Sequence, residues 1–344
     1  MSNYRFMIYA EGGSKTFMGH LMRTVALAVT FRSSGIEVIF VTSSEDGETY
    51  ISENGFKVIR VEQLDYSALA HIAKQYNIDG IMVDRFGYTI EQHQILVQEI
   101  GLLVQIDDFL YDGPAQLVIN STIDEKPTGR NGRWLCGGKY AIIREKFVNH
   151  DKVILDIPRC MLLTTGYGDP GNVHIKMIEM VQSVFPDLVM HVIVGGGYKT
   201  KEQLREIASK NTKVILYENI TDISGIMQKA DFAISAAGTT LSELAAAGVP
   251  AIAFSLYDNQ LDNIQRVSQK GSIIPIGWYE DIDYVRLKNQ VTELYKNSDM
   301  RKKLSANGLS WIDGKGTERI AEAVLEELQR HEKGSYCDNK VMEH

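Results

Sequence analysis

Short apolar runs rich in β-branched residues alternate along the chain with longer stretches whose apolar positions recur at helical spacing. That rhythm predicts parallel sheets covered by helices. In the first half, 6–10, 37–42, 57–61, 80–83, 102–106 and 117–119 read as strands, and 20–33, 66–76 and 89–100 as helices. Leu21, Val25, Leu27, Ala28 and Phe31 share the helical spacing of the first of these. The pattern breaks over 142–158, around the charged stretch 144–152, and a linker is expected there. It then restarts, with strands at 159–164, 189–194, 214–217, 232–235, 251–254 and 273–275, and helices near 172–184, 200–209, 221–229, 239–247 and 258–269. A last amphipathic helix over 315–332 carries Ile320, Ala321, Val324, Leu325 and Leu328 and runs into a polar tail. The expected fold class is α/β, with two Rossmann-like domains, 1–155 and 156–333, facing across a cleft, and a disordered tail at 334–344.

Composition narrows the function classes. At 344 residues and 44% hydrophobic content the chain exceeds what one core usually organises and is rich enough for two. The net charge of −8 argues against nucleic-acid binding through a global basic field, and a small anionic ligand in a local pocket remains open. Three cysteines without CxxC spacing suggest neither a disulfide framework nor a zinc site, so no metal is expected and the compartment reads as reducing. Residues 1–5 lack the features of a signal peptide, and no apolar run approaches the roughly 18 residues of a membrane span. A cytoplasmic protein without stable membrane insertion is expected.

Two segments carry candidate chemistry. The first, Gly12-Gly13-Ser14 to Gly19-His20-Leu21-Met22-Arg23, follows the first predicted strand. It places glycines and an imidazole where an α/β protein presents backbone N–H groups to an anion. The second, from Ala230 to Pro250, contains Ala236-Ala237-Gly238-Thr239-Thr240-Leu241-Ser242-Glu243. Small residues end a strand, a glycine permits close backbone approach, and two hydroxyls open a helix. Free N–H groups and hydroxyls at Gly238, Thr239 and Thr240 suit a pyrophosphate, and Glu243 suits two ribose hydroxyls. The alternative is structural: Thr239 caps the helix, Glu243 favours its first turn and Gly248-Val249-Pro250 ends it.

These motifs, with Asp258-Asn259-Gln260, Val83-Asp84, Ile106-Asp107-Asp108, 138–144 and 166–172, resemble the glycosyltransferase-B superfamily. Within it the chain is similar to the UDP-sugar hydrolases of the pseudaminic acid pathway and their spore-coat polysaccharide relatives. The resemblance spans about residues 5–315. It implies release of UDP from a UDP-linked 2,4-diacetamido-2,4,6-trideoxyhexose, by water attack at the anomeric carbon with inversion and without a cofactor. It also implies His20 as general base; Gly238, Thr239, Thr240, Glu243, Tyr217 and Gly166 as nucleotide-binding; and Gly12, Gly13, Arg23, Asp84, Tyr88, Asn259 and Gln260 as substrate-binding. Three departures from the family pattern stand out: Phe17-Met18 ahead of Gly19-His20, Phe86 where an aromatic hydroxyl is usual, with Tyr88 nearby to compensate, and an aromatic Tyr167 in the 166–170 loop.

A second reading keeps the same base and leaving-group apparatus and transfers the sugar to an acceptor hydroxyl. A third is a nucleotide-sugar binding protein without activity. Other signals are weaker. Gly195-Gly196-Gly197 lacks GxGxxG spacing and reads as a turn, and Asp281-Ile282-Asp283 reads as a helix cap. Asp107-Asp108 either orients Arg23 or the sugar amides, or serves as an N-cap or in a structural ion pair.

Overall fold

The computed structural model describes residues 4–341 apart from 13–17, 63–64, 86, 109, 219 and 221, and for Asn259 and 333–341 the backbone alone. The chain forms two compact units, one comprising Met1–Ile142 with Lys315–His344 and the other Ile143–Gly314.

The first unit contains β1 (Arg5–Ala10), α1 (Gly19–Ser33), β2 (Glu37–Thr42), α2 (Glu45–Glu53), β3 (Lys57–Arg60), α3 (Tyr66–Tyr76), β4 (Gly80–Asp84), α4 (Ile90–Ile100), β5 (Leu102–Ile106), β6 (Leu117–Asn120) and β7 (Arg133–Cys136). Its strands form one parallel sheet in the order β3-β2-β1-β4-β5-β6-β7. Strand order reverses beside β1, and the crevice at the carboxyl ends of β1 and β4 is where open α/β sheets bind ligands. Both faces are covered. Phe6, Ile8, Leu21, Val25, Phe31 and Phe40 build one core layer, and Met7, Tyr9, Val41, Leu69, Ile81 and Leu96 the other.

The second unit contains β8 (Cys160–Thr164), α5 (Val173–Val184), β9 (Val189–Val194), α6 (Lys201–Lys210), β10 (Val214–Glu218), α7 (Ser224–Lys229), β11 (Phe232–Ala236), α8 (Thr240–Ala246), β12 (Ala251–Ser255), α9 (Asn259–Gln269), β13 (Ile273–Trp278), α10 (Tyr284–Lys296) and α11 (Ser298–Trp311). Its sheet, also parallel, runs β10-β9-β8-β11-β12-β13. The order reverses beside β8, so the loops after β8 and β11 occupy the corresponding crevice.

Several expectations change. Unit boundaries fall at 142/143 and 314/315 rather than at 155/156. The last helix, α12 (Gly316–Val341), belongs to the first unit, because Ile320, Val324 and Leu328 are buried in the layer that holds α1. Its helical backbone continues into the segment expected to be disordered; residues 342–344 lie outside the described residues. The structure adds β7, α2 and α11. Ser44 caps α2 by accepting from the Gly47 amide at 2.9 Å, with Glu45, Asp46 and Glu48 in the first turn. Asp283 caps α10 as expected, accepting from Val285 and Arg286. Among the described residues no helix is long and apolar enough to cross a membrane.

Candidate active site

In the first unit β1 and β4 pair so that Ala10 lies opposite Asp84 at their carboxyl ends. Helix α1 starts just beyond β1 and brings His20, on its first turn, to the same point. His20 Nδ1 lies 2.7 Å from Asp84 Oδ1. A carboxylate in that position accepts a hydrogen bond from Nδ1–H, which orients the ring and puts the imidazole lone pair on Nε2. Arg23, one turn along α1, donates to Asp84 through Nε at 2.7 Å and Nη2 at 2.6 Å, and reaches Asp108 at 2.8 and 3.2 Å. Asp84 is 1% exposed. Burial alone would raise its carboxyl, but Arg23 and His20 hold it well below the usual carboxylate range. Burial works against the Arg23 charge too, and Asp108 and Asp84 overcome it.

Of the substrate-binding residues expected in this unit, Gly12, Arg23, Asp84 and Tyr88 each have partners within the protein. Arg23 spends its fork on two carboxylates, and Asp84 is the buried partner of His20 and Arg23. Gly12 serves packing, since a Cβ there would stand 2.3 Å from Leu21 Cδ1. Tyr88 stacks on His93 with ring centroids 4.4 Å apart. Burial, and next Asp107, push its phenol up, keeping it a donor. Tyr88 lines a recess with His20, Asp84, Arg85, Gln105, Asp107 and Asp108 that has room for about one water molecule. Asp107 accepts from Asn120 Nδ2 at 3.0 Å, while Asp108 is the residue that holds Arg23. Gly13, Phe17 and Phe86 lie outside the described residues.

In the second unit the turn between β11 and α8 opens its helix without a side-chain cap. Thr239 is helical (φ −56°, ψ −23°) and makes no side-chain capping bond, so the capping alternative is not realised. The first bonds of the turn run from the Leu241 and Ser242 amides to Gly238 O and Thr239 O at 3.1 Å. The amides of Gly238, Thr239 and Thr240 precede them. With only seven residues, α8 brings a small dipole.

Helix α9 braces this turn through Asn263 Nδ2, which donates to Ala237 O at 2.8 Å, while Gln260 Oε1 accepts from the Leu256 amide in the loop ahead of its own helix at 2.9 Å. The Gln260 amide nitrogen faces Gly238, 3.8 Å from where a Cβ would stand. The side chain of Asn259 lies outside the described residues. Glu243 is held by Arg144, whose Nη2 donates to Oε1 at 3.0 Å, and burial pushes the Glu243 carboxyl up despite that cation.

The loop after β8 is set by a buried polar network. Gly166 has φ +79°, and Thr165 Oγ1 donates to Gly168 O at 2.7 Å. Thr165 Oγ1 also meets the Tyr198 hydroxyl, which lies 3.0 Å from Nε2 of the fully buried His174. Asp169 accepts from the Val173 and His174 amides at 2.9 and 3.1 Å and so starts α5. Against this loop packs Gly195, where a Cβ would stand 2.2 Å from Tyr167 O. Tyr217 Oη lies 2.9 Å from His191 Nδ1.

Sequence reasoning missed the pairing of Arg144 with Glu243, the brace from Asn263 and the His174–Tyr198 network. A QxxN spacing from Gln260 to Asn263 is the only sequence signal for any of them. Among the described residues no group of three or more His, Cys, Asp or Glu is arranged to hold a metal ion.

The model of the glycosyltransferase family 28 C-terminal domain matches residues 175–333. The chain is 24% identical over 342 residues to the spore coat polysaccharide biosynthesis protein SpsG of Bacillus subtilis, covering 94% of this chain and 98% of that protein. It is 26% identical over 315 residues to an uncharacterized protein of Methanocaldococcus jannaschii, covering 82% of this chain but only 63% of that longer protein. Among solved structures, the glycotransferase of kitacinnamycin superposes with a TM-score of 0.70 at 14% identity, over 95% of this chain and 100% of that one. The co-structure of Staphylococcus aureus MnaA with UDP gives 0.65 at 14% identity, over 95% and 97%. With its two parallel Rossmann-like sheets, the chain has the fold of the GT-B glycosyltransferases.

Proposed function

We propose that the protein is an inverting sugar-transfer enzyme that uses a UDP-sugar donor and acts in polysaccharide biosynthesis. The observation that carries this reading is the His20–Asp84 pair, 2.7 Å apart, at the switch point of the first sheet. His20 Nε2 takes the proton of an acceptor hydroxyl as its oxygen bonds to the anomeric carbon. The bond from that carbon to the phosphate oxygen breaks, and its electron pair leaves with UDP. The amides of Gly238, Thr239 and Thr240 and the two threonine hydroxyls bind the departing diphosphate, and Glu243 accepts from the ribose. A positioned base contributes about 10²–10⁴-fold, so the rest of the rate must come from holding the leaving group and aligning the acceptor.

The match to a glycosyltransferase domain favours transfer over the hydrolysis that the family resemblance implies. The similarity to the spore coat protein supports a polysaccharide product, and the UDP co-structure of a fold neighbour supports the nucleotide. Hydrolysis of the same donor is kept as a second reading because the recess beside His20 has room for about one water molecule.

The test is turnover of a panel of UDP-linked 6-deoxy-amino-sugars in ¹⁸O-water, with and without saccharide acceptors. Acceptor-dependent UDP release with no label at C1 is expected. Label at C1 without an acceptor would establish hydrolysis instead, and label in UDP, meaning attack at phosphorus, would overturn both. His20→Asn should bind UDP and lose about 10²–10⁴-fold in turnover; an undiminished rate would remove His20 as the base.

A further inference from the structure

We propose that Arg144 is a positioning residue that holds Glu243 ionised and aimed, and thereby sets the preference of the nucleotide site for a ribose 2′-hydroxyl. The inference rests on the reading of Glu243 as the ribose acceptor. Arg144 and Glu243 are 99 positions apart, and both side chains are 17% exposed. Arg144 Nη2 takes Oε1 at 3.0 Å, and among the described residues Oε2 has no partner. One oxygen is thus fixed by the protein and the other is left for a ligand hydroxyl.

The guanidinium is itself fixed. It lies over the ring of Phe147, 4.4 Å from the centroid, and Phe147 is fully buried. The segment carrying both residues is fastened to its surroundings. The Asn149 amide donates to Ala246 O at the end of α8 at 3.0 Å, and Gln228 Nε2 of α7 donates to Lys146 O at 2.8 Å.

Charge supplies the second half of the argument. A carboxylate beside a bound diphosphate repels it unless compensated, and a poorly solvated carboxylate without a cation takes up a proton. The charged groups acting on Glu243 are Arg144, Lys146 and Asp222; Lys146 is engaged with Asp222 at 3.0 Å, which leaves Arg144 as the compensating charge. A protonated Glu243 would turn from a pure acceptor into a donor–acceptor, and the discrimination between ribose and 2′-deoxyribose would fall.

The experiment is calorimetric titration of the full chain with UDP and with 2′-deoxy-UDP from mildly acid to mildly alkaline pH, for the unaltered protein, Glu243→Gln, Arg144→Met, Arg144→Gln and Arg144→Lys. The unaltered protein should prefer UDP by about tenfold or more, the scale of a charge-assisted hydrogen bond. Glu243→Gln should bring the ratio close to one. Arg144→Met and Arg144→Gln should lower it at least about fivefold at acid pH and recover part of it on alkalinisation, and Arg144→Lys should lie between them and the unaltered protein. The inference is overturned if Glu243→Gln loses the preference while a folded Arg144 variant keeps it at every pH. If Glu243→Gln keeps the preference, the ribose reading itself fails.

Discussion

His20 stands on a helix that the local pattern predicts, yet the residue that orients it lies 64 positions away at the end of β4. The residue type and its loop are legible in the sequence, because glycines and a histidine between strand and helix announce themselves. The tautomer-setting partner is not, because sheet order decides which strand end lies beside β1.

A second buried histidine makes a prediction at the same scale. His93 is fully buried, 2.8 Å from the Tyr111 hydroxyl through Nδ1, and burial, followed by the Arg85 charge, lowers it to about 4. Its usual value is 6.5, so between pH 4 and 6.5 the unfolded chain binds a proton that the folded chain does not. Stability then rises with pH across that window and is lost on acidification, by about 2–3 kcal/mol at its lower end. Urea unfolding of the unaltered protein and of His93→Phe at pH 7 and near pH 4 would measure this. The variant should lose less stability on acidification by about that amount, and parallel losses would show that His93 titrates normally.

At the level of elements, those with a strong period appear as predicted, and the missing ones are short or were masked by charge. β7 is only Arg-Trp-Leu-Cys, without a β-branched residue, and it pairs at the edge of the sheet. In α2 an acidic first turn reads as a solvated loop until Ser44 is recognised as its cap. The triple glycine after β9 is a turn, as its spacing implies, but what requires it is tertiary: the Gly195 Cα approaches the carbonyls of Tyr167 and Gly166 too closely for a Cβ. Two identical substitutions should therefore have opposite signs. Gly195→Ala forces the backbone of the Gly166 loop to move and should destabilise by about 1–3 kcal/mol. Gly225→Ala, inside α7 with nothing within 4 Å of the new methyl, should stabilise by about 0.5–1 kcal/mol. Chemical denaturation of both variants gives the two signs directly; a neutral Gly195→Ala would mean that the two loops are not in close contact.

Across the whole molecule, the order of the chain and the order of the units differ. The first unit is left at Ile142 and resumed at Lys315, and the return is tight, since a Cβ at Gly316 would stand 2.1 Å from Ala141 O. Helix α12 then lies on the layer containing α1, with Ile320 and Val324 fully buried and Leu328 nearly so. Polar ties reinforce it: Arg319 Nη1 donates to Lys139 O at 2.8 Å, Arg133 Nη1 reaches Glu326 at 2.6 Å, and the Tyr4 hydroxyl donates to Glu332 at 2.7 Å. An amphipathic stripe tells that this helix has a buried face but not which sheet it faces, which is why its sequence position suggested the second unit. Burying three aliphatic side chains contributes about 5–8 kcal/mol, comparable to the entire stability of an ordinary domain. A fragment of residues 1–142 should therefore lack a cooperative thermal transition and regain one when a peptide of residues 315–341 is added in trans. A fragment of residues 143–314, whose core is internal, should melt cooperatively by itself. Circular dichroism melts of the two fragments, with and without the peptide, decide it. If 1–142 alone melts cooperatively at the temperature of the intact chain, α12 is an appendage and not part of the first domain's core.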